Sequence, residues 1–98
     1  MKKSIEKLAI EFPEVRITRE LKYNDRGYQV KLLQMWLAAE GPEVYPKGLI
    51  TGYFGPLTRK AVIKFQEKYA DEILIPQGLE RGTGVVDGLT RKKLNELF

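Results

Sequence analysis

The feature that most constrains this chain is a partial repeat offset by 32 residues. Thr51, Gly52, Leu57, Thr58, Arg59 and Lys60 return as Thr83, Gly84, Leu89, Thr90, Arg91 and Lys92. The same offset applied backwards lays Val62, Phe65 and Gln66 on Val30, Leu33 and Gln34, and applied forwards lays Val62 and Phe65 on Leu94 and Leu97. Three helices with one apolar register follow from this. A period of that size is that of a helix-plus-loop unit, which cannot bury its apolar face without its neighbours.

Local signals place the helices. Asn24-Asp25-Arg26-Gly27 reads as a turn into a helix over 28–40, closed by Gly41 and Pro42. Val30, Leu33 and Leu37 define one face of it, while Tyr28, Leu32, Met35 and Trp36 spread round the rest. So wide an apolar perimeter predicts cover on more than one side. A second helix over 56–69 starts at Gly55-Pro56, a cap followed by a proline where its missing N–H is harmless. Leu57, Ala61, Phe65 and Tyr69 form its stripe with Val62 beside them, and Ile63 is left pointing elsewhere. In the downstream copy Asp87 takes the cap position, and Thr58 and Thr90 are placed to bond back to their caps. Ahead of these units, Ser4 caps a short helix over 4–12 carrying Ile5, Leu8, Ala9 and Phe12, which Pro13 ends; it is expected to dock on Ile63 or on the outer face of the 28–40 helix. Val15 and Ile17 alternate with polar residues without an evident strand partner, as in an extended strap.

The order Val30-x-x-Leu33-Gln34-x-x-Leu37, then Thr51-Gly52-x-Phe54-Gly55-x-x-Thr58-x-x-Ala61-Val62-x-x-Phe65-Gln66, then Gly84-x-x-Asp87-x-x-Thr90-x-x-x-Leu94-Asn95, resembles a peptidoglycan-binding domain of the three-helix type. Modules of that family are attached to bacterial and phage wall hydrolases. The resemblance covers residues 20–98 and leaves 1–19 outside as an added helix and strap. It implies an all-α fold, a three-helix bundle with glycine-rich connecting loops, here with the extra N-terminal helix. One departure from the family pattern is the long connection ADEILIPQGLERGTGVV, in which Ile73, Leu74 and Leu79 are expected to tuck against the core.

Composition narrows the chemistry. At 98 residues and 43% hydrophobic content the chain can bury one modest core. It has no histidine and no cysteine, which removes the commonest general base, the thiol nucleophile, disulfides and the usual transition-metal ligand sets, so no metal and no cofactor are expected. A carboxylate pair of the glycosidase kind remains open, but Glu67, Asp71, Glu72 and Glu80 sit among cations or at helix ends and read as solvated faces and caps. Seventeen basic residues against thirteen acidic give a net charge of +4, which suits an anionic partner. Lys60, Lys64 and Lys68 form a row with a second patch at Arg91, Lys92 and Lys93, yet no interleaving of aromatic and basic residues marks a nucleic-acid platform. No apolar run reaches signal-peptide or membrane-span length, so the chain is expected to reach the wall after removal of an export signal, as a piece of a larger secreted protein, or through a phage lysis system.

The resemblance implies a shallow groove near the turn and start of the second helix. Candidate ligand contacts there are Thr51, Tyr53, whose ring can stack while its hydroxyl bonds, and Arg59, which can grip a carboxylate. Tyr53 also has a core reading, because its counterpart is Val85. Gln34 and Gln66 follow buried positions and either bond the ligand or satisfy loop backbone. The expected function is a non-catalytic, monomeric wall-binding module that targets an attached hydrolase, its partner being peptidoglycan through stem peptide or glycan, with no nucleic acid or membrane. The alternative is an interaction module of the same fold without glycan binding.

Overall fold

The computed structural model describes residues 15–98, so the helix expected over 4–12 and its docking lie outside the described residues. Within them every regular element is helical: α1 is Tyr28–Glu40, α2 Pro56–Lys68, α3 the single turn Ala70–Ile73, and α4 Gly88–Leu97, with a 3-10 turn at Ile75–Gln77. The all-α reading holds, and the three long helices start and stop where their punctuation requires. Gly41 ends α1 with a left-handed φ of 122° and an N–H bonded to Ala38 O. Pro56 opens α2 behind an extended Gly55. Asp87 caps α4 by accepting from Thr90 N–H at 2.9 Å.

One core joins the units. Leu33, Phe65 and Leu94, matched in register by the sequence, are all fully buried in it, with Leu97 packed at its edge. α1 is covered on several sides, as its apolar perimeter requires: Val30, Leu32, Leu33, Trp36 and Leu37 are all buried, and Trp36 stacks on Phe98 with ring centroids 5.5 Å apart. The connection between α2 and α4 tucks in through Ile73 and Leu74, with Leu79 packed against the core. Its two short helical turns carry no periodicity long enough to be read in advance.

Residues 15–26 act as a strap held by side chains rather than by a sheet. Gln29, itself buried, donates to Arg16 O and Thr18 Oγ1 and accepts from Thr18 N–H, each at 3.0 Å. Asn95 on α4 does the same for Ile17, accepting from its N–H and donating to its carbonyl, both at 3.0 Å. Two isolated antiparallel bridges, Leu21 with Val86 and Arg26 with Tyr53, tie the strap to the two glycine loops.

One sequence expectation changes. Leu57 does not join the buried stripe of α2; it is 46% exposed. At the first turn of a helix, next to the 44–53 loop, its position faces outward, and the stripe proper begins at Ala61. Ile63 finds cover inside the described residues: it is half-buried, and the Gly82–Gly84 loop lies against it closely enough that a Cβ on Gly82 would stand 2.7 Å from the Ile63 carbonyl.

Candidate functional site

Two buried glutamines set the loops around α2. Gln34 Nε2 donates to Thr51 Oγ1 (3.2 Å), Tyr53 O (3.0 Å) and Thr58 Oγ1 (3.0 Å), while its Oε1 accepts from the N–H groups of Thr51 and Gly52, both at 2.9 Å. Each bond has its counterpart 32 residues on. Gln66 Nε2 donates to Thr83 Oγ1 (3.3 Å), Val85 O (2.8 Å) and Thr90 Oγ1 (3.0 Å), and its Oε1 accepts from Thr83 N–H (2.8 Å) and Gly84 N–H (3.1 Å). With exposures of 1% and 0%, both amides are committed to loop backbone, so of the two readings open in the sequence the structure places them on the loop side. The Thr58 and Thr90 hydroxyls accept from these glutamines, while it is the Thr90 N–H that bonds back to the Asp87 cap. Gly84 has a left-handed φ of 82°, which an L side chain rarely adopts, and that backbone is what lets two successive N–H groups converge on one amide oxygen.

The Gln34 clasp positions Tyr53. Its ring is half-buried, with the Arg26 guanidinium 4.3 Å from the ring centroid and its hydroxyl donating to Asn24 Oδ1 at 2.7 Å. Asn24 itself holds a left-handed φ of 79°. A Cβ on Gly55 would meet the ring at 3.0 Å, so a side chain there would press on the tyrosine lying over it, although the φ of −101° suits any residue.

Tyr53, Thr51 and Gln34 line a concavity of about 180 Å³ with Leu49, Leu57 and Pro56. A second concavity of about 120 Å³ adjoins it across Tyr45 and Leu57, and runs along α2 past Ala61 to Lys47, Lys60 and Lys64. Together they form one trough between α2 and the 44–53 loop. Its floor is buried Tyr45, fixed by its hydroxyl donating to Leu49 O at 2.6 Å. Leu49, Ile50 and Leu57 are exposed beside it, a cluster of large apolar side chains that folding leaves in water.

Of the five candidate residues, the structure brings Thr51, Tyr53 and Gln34 to this trough and keeps Gln66 and Arg59 away from it. Arg59 is exposed but runs over the next glycine loop, where a Cβ on Gly84 would stand 2.9 Å from Arg59 Cγ. Its side chain is thus packed over the Gly84 loop and is not among the residues lining the trough. Sequence reasoning missed Tyr45, Lys47 and Leu49, whose only signal was an apolar and basic loop with two prolines between two helices.

Other charged groups are used internally. Lys68 pairs with Glu40 (3.0 Å) and Glu43 (3.4 Å), and Tyr69 donates to Glu40 at 3.0 Å. Lys93 pairs with Glu72 at 2.8 Å and stands 4.8 Å from the Tyr69 ring centroid. The bond to Glu40 raises the Lys68 pKa, that to Glu72 raises the Lys93 pKa, and burial raises that of Tyr69. The Glu43 pKa is lowered, first by its backbone hydrogen bond and then by Lys68. No cluster of three or more metal-ligating side chains forms, and no helix is long and apolar enough to cross a membrane, among the described residues.

No curated protein and no solved structure matches the chain. A family model described as "Putative peptidoglycan binding domain" matches residues 26–70, a little under half of the chain. That segment contains α1, α2 and every residue lining the trough. Over residues 26–70 the chain is therefore similar to the peptidoglycan-binding domain family.

Proposed function

We propose that the chain is a non-catalytic module that holds an attached hydrolase on the bacterial cell wall, with the trough between α2 and the 44–53 loop as the wall-binding surface. The observation that carries this reading is coincidence: the family segment and the trough are built from the same residues. On this reading the second unit, through α4, completes one module over residues 20–98 by sharing the core of the first. Binding of modest affinity is sufficient for such a role, because tethering raises the local concentration of the attached enzyme on a polymeric substrate. The working place is then outside the cytoplasmic membrane, within a larger protein.

The test is sedimentation with purified insoluble peptidoglycan, with chitin and heparin as controls. The chain is expected to pellet with peptidoglycan without releasing reducing ends or free amines. Leu57→Asp is expected to weaken pelleting at least about tenfold while changing stability by less than about half a kcal/mol, because Leu57 is half-exposed at the trough wall. Release of product would overturn the non-catalytic reading. Failure to pellet with walls from several bacteria would favour the interaction module without a glycan ligand.

A further inference from the structure

The trough has two chemically different ends. Its Tyr53 end is walled by Leu49, Leu57 and Pro56, and the polar groups there are already engaged: Thr51 and Thr58 with Gln34, and the Tyr53 hydroxyl with Asn24. Between the two ends, the Tyr45 hydroxyl is bonded to Leu49 O. The other end carries Lys47, Lys60 and Lys64, and no acidic residue lines either half. None of the ion pairs among the described residues involves these three lysines, in contrast to Lys68 and Lys93. Three uncompensated ammonium groups at one end of a concavity create a local positive potential that a purely apolar ligand would not use.

We infer that the trough recognises the peptide part of the wall, with small aliphatic side chains along the Leu49 and Leu57 walls and carboxylates on Lys47, Lys60 and Lys64. This rests on the wall-binding reading above and deepens it. A glycan strand presents many hydroxyls that each need a partner, and the trough has few free partners to offer other than the ammonium groups. A polyanionic wall polymer would meet cations at one end and an apolar surface at the other. An acidic peptide with methyl-sized side chains satisfies both halves at once. Lysine suits this task because a compact ammonium on a flexible stem can follow carboxylates of varying position.

The experiment is amide-resolved titration of the full chain with soluble probes: the tetrapeptide L-Ala-γ-D-Glu-L-Lys-D-Ala, the same peptide with its carboxylates amidated, chitotetraose, and poly(glycerol phosphate). The free-acid peptide is expected to shift the amides of Val44, Leu57 and Ala61, to weaken with added salt, and to bind several-fold more tightly than the amidated form. Lys60→Gln and Lys64→Gln are each expected to cost about fivefold in affinity for the free acid and little for the amidated peptide. Because these lysines are exposed, the variants should keep the parent's melting curve. Equal binding of the two peptides, or binding in the trough by chitotetraose or poly(glycerol phosphate) but not by the peptide, would overturn the inference. Peptidoglycan sedimentation run in parallel separates the cases: walls that still pellet the protein leave the wall-binding reading standing while the peptide assignment falls.

Discussion

At the residue scale, Gln34 and Gln66 do the work of a small sheet, each gathering two backbone N–H groups and one carbonyl that no strand pairs. Replacing Gln66 by leucine keeps the volume but strands the Thr83 and Gly84 N–H groups inside the loop, while the Val85 carbonyl keeps only the Asp87 N–H at 3.0 Å as a backbone donor. A loss of about 2–4 kcal/mol is expected in urea unfolding, from unsatisfied polar groups rather than lost area. A change below about 0.5 kcal/mol would show that water can replace the amide there. The sequence left these residues between two roles because an amide placed after a core residue looks the same whether it faces a ligand or a loop. What decides is the distance to backbone groups 17 to 19 residues away, which spacing alone does not contain. The packing of Arg59 over the Gly84 loop was not legible for a related reason: helical angle gives the direction in which a side chain leaves the helix, not which loop will lie beneath it.

At the scale of elements, the long helices were legible because their ends carry strong chemistry, Gly41-Pro42, Gly55-Pro56 and Asp87-Gly88, and their interiors a clear register. The turns at Ala70–Ile73 and Ile75–Gln77 were not, being shorter than one period of the signal. These elements are joined by ionic contacts of α1 with α2 and of α3 with α4, and their pH response follows from the shifts. Lys68, Tyr69 and Lys93 have raised folded-state pKa values, so the stability they add is complete below their unfolded values and is lost as pH rises through the folded ones. Glu43 is lowered, so its contribution is present above its unfolded value and lost as pH falls through the folded one. Melting temperature against pH should therefore stay level near neutrality and fall both above about pH 10 and below about pH 4. Lys93→Met should flatten part of the alkaline fall; an unchanged alkaline limb would show that the pair with Glu72 does not form in solution.

For the whole molecule, one core spans both units, so neither is expected to survive the loss of its centre. Phe65 is fully buried and packs on Tyr69 with ring centroids 5.0 Å apart, and Phe65→Ala should cost about 3–5 kcal/mol, a large part of what holds a domain of this size together. A loss well below 1 kcal/mol would mean that neighbouring side chains refill the space. The strap makes a further point about topology. Ile17 and Asn95, 78 residues apart in the chain, are joined by two hydrogen bonds, so the path of the backbone is nearly a closed ring whose seam is already stitched. Where the cut falls in such a ring matters little. A circular permutant with Phe98 linked to Met1 through a flexible spacer, and new ends opened at exposed Gly78, where a Cβ would meet nothing within 4 Å, should fold to the same core and bind with the parent's affinity.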